Sequence, residues 1–316
     1  MGSEANCVEA GGSTRCTICG GCRWGFVRQG RDLLRPDEEI TFKLCRCMSC
    51  GHIMQTPLPD DGELRKAYSV DYAPYRPAWK ESGWPLWRIF RELTTWRRMI
   101  CLKRYGVGRK LLEVGSGAGD FLYAAHRAGW EVKAVEYSAA LADSLRAELG
   151  LDVLAGELRP GLWKEGEFDV IALWNVLEHV RNPLDTLITA SSYLRAGGTL
   201  FLQVPTADGA EHGKWFGPYW APLDLPRHLN FFSRTSLAQL CLKAGMKVTL
   251  FKTPFLGMAW CYFASIGNYS NQSKHALQRL VGSGLLAALA VAAFPYLAAQ
   301  AWRRHGGEAF AVAVKR

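Results

Sequence analysis

The stretch Lys110-Leu-Leu-Glu-Val-Gly-Ser-Gly-Ala-Gly-Asp-Phe121 decides the fold. Leu111, Leu112 and Val114 form a short apolar run with the composition of a buried strand. Gly115, Gly117 and Gly119 follow at alternate positions, and residues 121–127 then read as a helix. A strand, a glycine turn and a helix let a ligand approach the main chain where a Cβ would block it. The spacing separates two cofactor classes. A dinucleotide turn, G-x-G-x-x-G, would need a third glycine at position 120, which is Asp120.

The pattern present is E-x-G-x-G-x-G from Glu113 to Gly119, and it resembles the first motif of the class I S-adenosylmethionine (SAM) dependent methyltransferases. The resemblance implies an α/β fold, a Rossmann-like seven-stranded sheet whose last strand runs antiparallel. It also makes Glu113, Gly115, Ser116, Gly117 and Gly119 the cofactor turn, with acids answering the positive sulfonium and amino groups. Residues 131–137 read as the second strand, ending in Glu136. The separation 136 − 115 = 21 suits a carboxylate that takes ribose hydroxyls. The family pattern gives Glu136 that role, sets Tyr137 beside the adenine and brings Glu157 near the adenine amino group. For Glu157 a solvated loop acid is the alternative.

Asp169 precedes a fourth apolar strand that ends at Trp174-Asn175, where open parallel sheets bind ligands. Asn175-Val-Leu-Glu-His-Val180, followed by Asn182-Pro183, resembles the post-strand motif of ubiquinone-type and related small-molecule methyltransferases. Residues 194–205 resemble the double-glycine turn and fifth strand of the family. Pro226-Arg-His-Leu229, with Phe232-Ser233 after it, is characteristic of the same subgroup and falls where substrate-facing loops belong. A helix at 235–245 and a strand at 246–251 follow.

Methyl transfer from a sulfonium needs donor and acceptor held in line and, for an oxygen or nitrogen acceptor, a proton removed. His228 and His179, with Glu178 beside the latter, are the candidates. Glu178-His179 also reads as a helix start whose acid caps backbone donors. Some relatives with E-x-x-E-H bind a divalent ion there; Asn175 in the first position is a poorer ligand, which argues against a metal at Asn175, Glu178, His179 and His228. Arg227 is suited to hold a carboxylate or phosphate on the acceptor.

Cys16-Thr-Ile-Cys19-Gly and Cys47-Met-Ser-Cys50-Gly are paired knuckles that supply four soft ligands for a structural zinc ribbon spanning 1–55, with strands at 24–27 and 40–44 and a disordered start. Unliganded thiols are the alternative, and Cys22 and Cys45 could compete as ligands. Similar ribbons precede the methyltransferase domain in a bacterial subgroup that includes sugar C-methyltransferases. Such cysteine usage, with no secretory leader, points to a reducing cytoplasmic compartment.

Residues 56–108 read as a helical connector. Leu86, Ile89, Leu93, Trp96 and Ile100 recur at helical spacing, with Arg88, Arg91 and Arg98 largely elsewhere. The spacing predicts a helix that caps the cofactor pocket with its apolar face inward; lying on a membrane is the alternative. The main domain runs over 109–316, with a hydrophobic insertion at 255–305. Within it, 280–302 is uncharged, and is expected to pack on the domain, form a homodimer interface or touch a membrane surface peripherally. A transmembrane span there would separate the strand at 246–251 from its expected antiparallel partner at 309–314.

The formal charge is +9, and residues 1–110 carry 19 Lys+Arg against 12 Asp+Glu, so 19 − 12 = +7 of it. That balance suits an anionic partner or a solvated basic face. The Asn-Pro-Pro-Tyr signature of amino-group DNA methylation is missing after the fourth strand, which argues against nucleic acid. The expected acceptor is a small molecule, sugar or lipid-linked glycan. A macromolecular methyltransferase docking through the ribbon, or a SAM-binding scaffold without turnover, are the rival readings.

Overall fold

The computed structural model describes residues 15–35, 40–68, 85–207, 217–254, 257, 261, 264–265 and 306–316. The expectations for 1–14, for 280–302 and for most of the insertion fall outside the described residues. Among the described residues no helix is long and apolar enough to cross a membrane.

Strands β1 (Trp24–Arg31), β2 (Thr41–Cys47) and β3 (Ile53–Thr56) form an antiparallel meander. The first two run longer than the sequence predicts. Helix α1 (Asp61–Ala67) starts at Asp60, whose carboxylate takes the Glu63 N–H while the Glu63 carboxylate takes that of Asp60. Helix α2 (Pro85–Tyr105) follows.

The main domain then alternates: β4 (Lys110–Val114), α3 (Asp120–Arg127), β5 (Glu131–Glu136), α4 (Ala139–Leu149), β6 (Asp152–Ala155), β7 (Phe168–Trp174), α5 (Pro183–Tyr193), β8 (Leu194–Pro205), β9 (Asn230–Phe231), α6 (Arg234–Lys243), β10 (Met246–Lys252) and β11 (Glu308–Lys315). Seven of these strands make one sheet in the order β10-β11-β8-β7-β4-β5-β6. Pairing is parallel from β8 to β6, and β11 runs antiparallel to both β8 and β10. The last strand therefore lies as expected. The central strands are covered on both faces, so Leu111, Leu112, Ile171, Leu173, Leu200 and Leu202 are all fully buried. Ser138 caps α4, while Asn182 and Pro183 open α5. Strand order reverses at β4 and β7, and the carboxyl ends of these strands form the cleft.

Two features depart from the sequence reading. Strand β9, which belongs to the main domain by position, completes the ribbon sheet as its fourth strand, in the order β1-β2-β3-β9. Helix α2 is turned the other way round. Ile89, Leu93, Trp96 and Ile100 are exposed, and Arg91, Arg97 and Arg98 turn toward the domain, while Arg88 stays exposed beside Glu92. Arg91 reaches Asp120 at 2.9 Å, Arg97 donates to Gln203 Oε1 at 2.7 Å, and Arg98 lies 4.9 Å from the Trp174 ring centre. The domain surface that α2 meets is polar and acidic at this end of the sheet, so a buried guanidinium finds partners there that an isoleucine would not.

Candidate active site

The turn after β4 needs glycine for two separate reasons. Gly115, Gly117 and Gly119 all have positive φ, of 69°, 52° and 79°. A Cβ on Gly115 would come within 2.6 Å of Val176 Cγ2, and one on Gly119 within 2.4 Å of Leu145 Cδ2. The first of these contacts locks the turn against Asn175–Val180, so the two stretches read separately in the sequence share one cleft.

Glu136 stands at the end of β5. One of its oxygens accepts the Gly117 N–H at 2.8 Å and the other the Ser138 N–H at 2.9 Å. Burial nevertheless raises its pKa against the pull of these donors. Each oxygen keeps a lone pair for a diol. Tyr137 beside it is exposed, its ring centre 6.4 Å from that of Tyr68, and Glu157 is solvent-exposed after β6. Glu113 lies fully buried on β4, where desolvation holds its pKa well above the usual carboxylate range although the Arg98 charge opposes this. Its Oε2 has no hydrogen-bond partner among the described residues. Ser116 is buried in the turn.

Trp174 sits deeper than its position at a strand end suggested. It stacks on Phe201 and Phe310 and takes Phe121 edge-on, beneath the Arg98 guanidinium. Asn175, at φ 58°, stands beside Glu178 and pulls that carboxyl's pKa down. Its Oδ1 accepts from Gln203 at 2.8 Å, and Gln203 donates as well to Glu308.

Glu178, His179 and His228 come together. The two imidazoles meet edge to face with centroids 4.7 Å apart. Pro222 O lies 2.8 Å from His228 Nδ1; a carbonyl only accepts, so Nδ1 carries the proton and Nε2 keeps its lone pair. The Arg227 carbonyl, 3.1 Å from His179 Nδ1, takes that N–H likewise, with the Tyr68 hydroxyl 2.9 Å from the same nitrogen as a second acceptor. Burial lowers both pKa values, that of His179 to about 3, so both rings are neutral at pH 7. Burial raises Glu178 to about 8, against the opposing pull of its own main-chain N–H and of the Asn175 side chain. The three side chains offer an oxygen and two nitrogens within 4.8 Å of one another, a set suited to a divalent cation.

Arg227 cannot serve the acceptor. Its guanidinium is closed by Asp32 at 2.8 and 3.0 Å, by Asp224 at 2.7 Å and by the carbonyls of Ala67 and Leu225. Sequence reasoning missed Asp32, Tyr68, Arg98, Gln203 and Glu308. Only Arg98 left a trace, in the seven-residue spacing from Arg91 that puts both on one helix face.

The ribbon thiols of Cys16, Cys19, Cys47 and Cys50 also converge within 4.8 Å. Cys16 and Cys50 sulfurs are 3.7 Å apart and those of Cys19 and Cys47 3.5 Å, against about 3.8 Å for tetrahedral ligands at the usual zinc–sulfur distance. A Cβ on Gly21 would press on Cys19 and Cys47 sulfurs at 3.2 and 3.3 Å. Burial drives Cys16 up to about 11, whereas main-chain donors bring Cys47 down to about 7 despite its burial. Cys22 stands outside this group, and Cys45 cannot compete as a ligand as the sequence allowed, because its sulfur is engaged in a disulfide and is no free thiol.

The family model described as "Methyltransferase domain", Methyltransf_23, matches residues 88–250. The chain is 32% identical over 101 residues to a ubiquinone biosynthesis O-methyltransferase of Xanthomonas campestris pv. campestris, and 33% over 104 residues to one of Caulobacter vibrioides. Each alignment covers 30% of this chain, and the chain spans 42% and 40% of the length of those relatives. A SAM-dependent methyltransferase structure from Thermotoga maritima aligns over 73% of this chain and 93% of that chain, with 18% identity and a TM-score of 0.47. The match over 88–250 takes in more than half of the 316 residues, with the glycine turn, Glu136 and the Glu178–His179 pair all inside it; the chain belongs to the Methyltransf_23 family of methyltransferase domains.

Proposed function

We propose that this protein transfers a methyl group from SAM to a small-molecule, sugar or lipid-linked glycan acceptor. The observation that carries the reading is Glu136, poised on two main-chain donors at the lip of the glycine turn with a lone pair left on each oxygen. Bound there, SAM would bring an already activated methyl carbon. Glu136 holds the ribose and Tyr137 flanks the adenine, with Glu157 within reach of its amino group. Glu113 faces the cationic methionine end and Arg98 its carboxylate, the only anionic group on that ligand. His228 Nε2 accepts the acceptor's proton, and the neighbouring His179 and Glu178 complete the wall. Cys16, Cys19, Cys47 and Cys50 hold a structural zinc.

Calorimetry tests this directly. Glu136→Ala is expected to abolish SAM binding in a protein that still folds, and unchanged affinity overturns the assignment. His228→Ala should cut turnover and leave SAM affinity alone. Metal analysis is expected to give about one zinc per chain. The convergence of the Glu178, His179 and His228 ligand atoms within 4.8 Å favours a second reading, in which these side chains bind a divalent cation that orients the acceptor. A second metal equivalent, lost in Glu178→Gln, separates the two.

A further inference from the structure

We infer that the N-terminal region is a working part of the acceptor side, with Asp32 and Tyr68 as positioning residues for His179 and His228. Both precede residue 88, where the family match begins, so the shared domain does not supply them. This inference rests on the reading of His228 as the proton acceptor.

The geometry runs to the rings through two routes, one from the ribbon and one from the connector. Asp32, 5% exposed, grips Arg227, 1% exposed, with one oxygen on each terminal nitrogen. The pair fixes the backbone of Arg227, and that backbone does the orienting: its carbonyl takes His179 Nδ1–H, and the next residue is His228. A buried ion pair is a weak source of net stability but a strong constraint on geometry, since only one arrangement satisfies both charges. The second route is Tyr68. Its hydroxyl lies 2.9 Å from the same His179 Nδ1, its ring centre 6.1 Å from that of His179 and 6.4 Å from that of Tyr137. Tyr68 thus stands between the adenine side of the cleft and the imidazole pair.

Other ribbon contacts hold the same loop without touching the rings. His52 Nε2–H donates to Asn230 Oδ1 at 3.1 Å, and Asn230 donates to Val180 O at 2.8 Å. Main-chain N–H groups of Leu229 and Asn230 bond to Glu178 O. The loop from Asp224 to Ser233 is therefore clamped between the ribbon sheet and the start of α5. A ribbon serving stability alone could attach to any face of the domain.

Long-range proton–nitrogen NMR on the full chain tests this, since it reads ring tautomers without an acceptor; His179→Gln and His228→Gln spectra assign the signals. Wild type is expected to show one Nδ1–H tautomer at each ring. Asp32→Asn, which keeps the shape and removes the charge, should give mixed tautomers at His179, and Asp32→Glu should restore the single form. Tyr68→Phe should shift the His179 nitrogen signal alone. Methyl transfer is expected to fall about ten- to a hundredfold in Asp32→Asn, the usual result of displacing a catalytic group by about 1 Å, with SAM affinity unchanged. As a control, Lys133→Gln breaks the 3.0 Å pair with Glu167 and should leave the rings as they are. A folded Asp32→Asn protein with wild-type ring signals overturns the inference. If that variant does not fold, an unmoved His179 signal in Tyr68→Phe does the same. Failure of wild type to bind SAM would instead remove the proposed function, a separate result in a separate measurement.

Discussion

Two arginines among the described residues, the fully buried Arg227 and the half-buried Arg98, differ in what answers their charge. Arg227 enters from the loop before β9 and meets two carboxylates, which hold its pKa above the ordinary arginine value against the effect of burial. Arg98 enters from α2 and meets an aromatic face. Its Nε has no hydrogen-bond partner among the described residues, and burial lowers its pKa to about 10. The first is a closed joint; the second, on the function proposed above, is the cation that meets the SAM carboxylate. Removing each should therefore have opposite signatures. Arg227→Ala strands Asp32 and should cost about 3–5 kcal/mol of stability, as loss of one member of a buried ion pair does. Thermal or urea unfolding reads this. Protein that remains folded should bind SAM as wild type does.

Arg98→Ala is the converse case. It removes a guanidinium that makes no direct ion pair among the described residues and feels Glu113, Glu308 and Asp120 only at longer range, so stability should change far less than in Arg227→Ala. SAM affinity should fall about ten- to a hundredfold, the value of a charge-assisted hydrogen bond. Calorimetry and an unfolding curve on the same sample decide it. If Arg98→Ala unfolds the protein while SAM affinity stays put, the contrast between the two arginines is lost.

Glu113 sharpens the comparison through pH. Its folded pKa is raised, chiefly by desolvation, with Arg98 pulling the other way. The unfolded chain therefore releases this proton first, and stability contributed by the protonated group is lost as pH rises above the ordinary carboxylate range. Glu113→Gln should flatten that part of the stability profile in the ligand-free protein. It should also abolish any gain in SAM affinity with rising pH, because only the ionised carboxylate attracts the amino and sulfonium charges. Arg98→Ala should raise the Glu113 pKa further and move the whole effect upward.

The sequence made the sheet legible because its signals are local. A glycine turn with positive φ, a carboxylate at the end of the next strand and caps such as Asn182-Pro183 each declare their geometry within a few residues. Their order then implies the cleft. The ribbon thiols are legible for the same reason, since C-x2-C spacing is itself a ligand geometry. What could not be read depends on partners far apart in the chain. Nothing near Asp32 announces Arg227, 195 positions away, and nothing in the loop around Asn230 announces that it completes a sheet begun at Trp24. Helix α2 misled for a physical reason. Periodicity identifies an apolar face but does not say that a polar surface awaits the helix, and three arginines with internal partners outweighed four apolar side chains.

That inversion makes the smallest prediction the most discriminating one for α2. Trp96 is 61% exposed and Leu93 40%. Substitutions at such sites usually change stability by no more than about 0.5 kcal/mol. Trp96→Ser and Leu93→Ser should therefore unfold with wild type, while Arg91→Ala, which breaks the contact with Asp120, should loosen the helix measurably in hydrogen exchange. A loss of about 2–3 kcal/mol at Trp96, the value of a buried large side chain, would mean that the stripe faces protein after all. The arginine side of α2 would then be a second contact face, and Arg98 would have to be reconsidered as a structural lock of the same kind as Arg227.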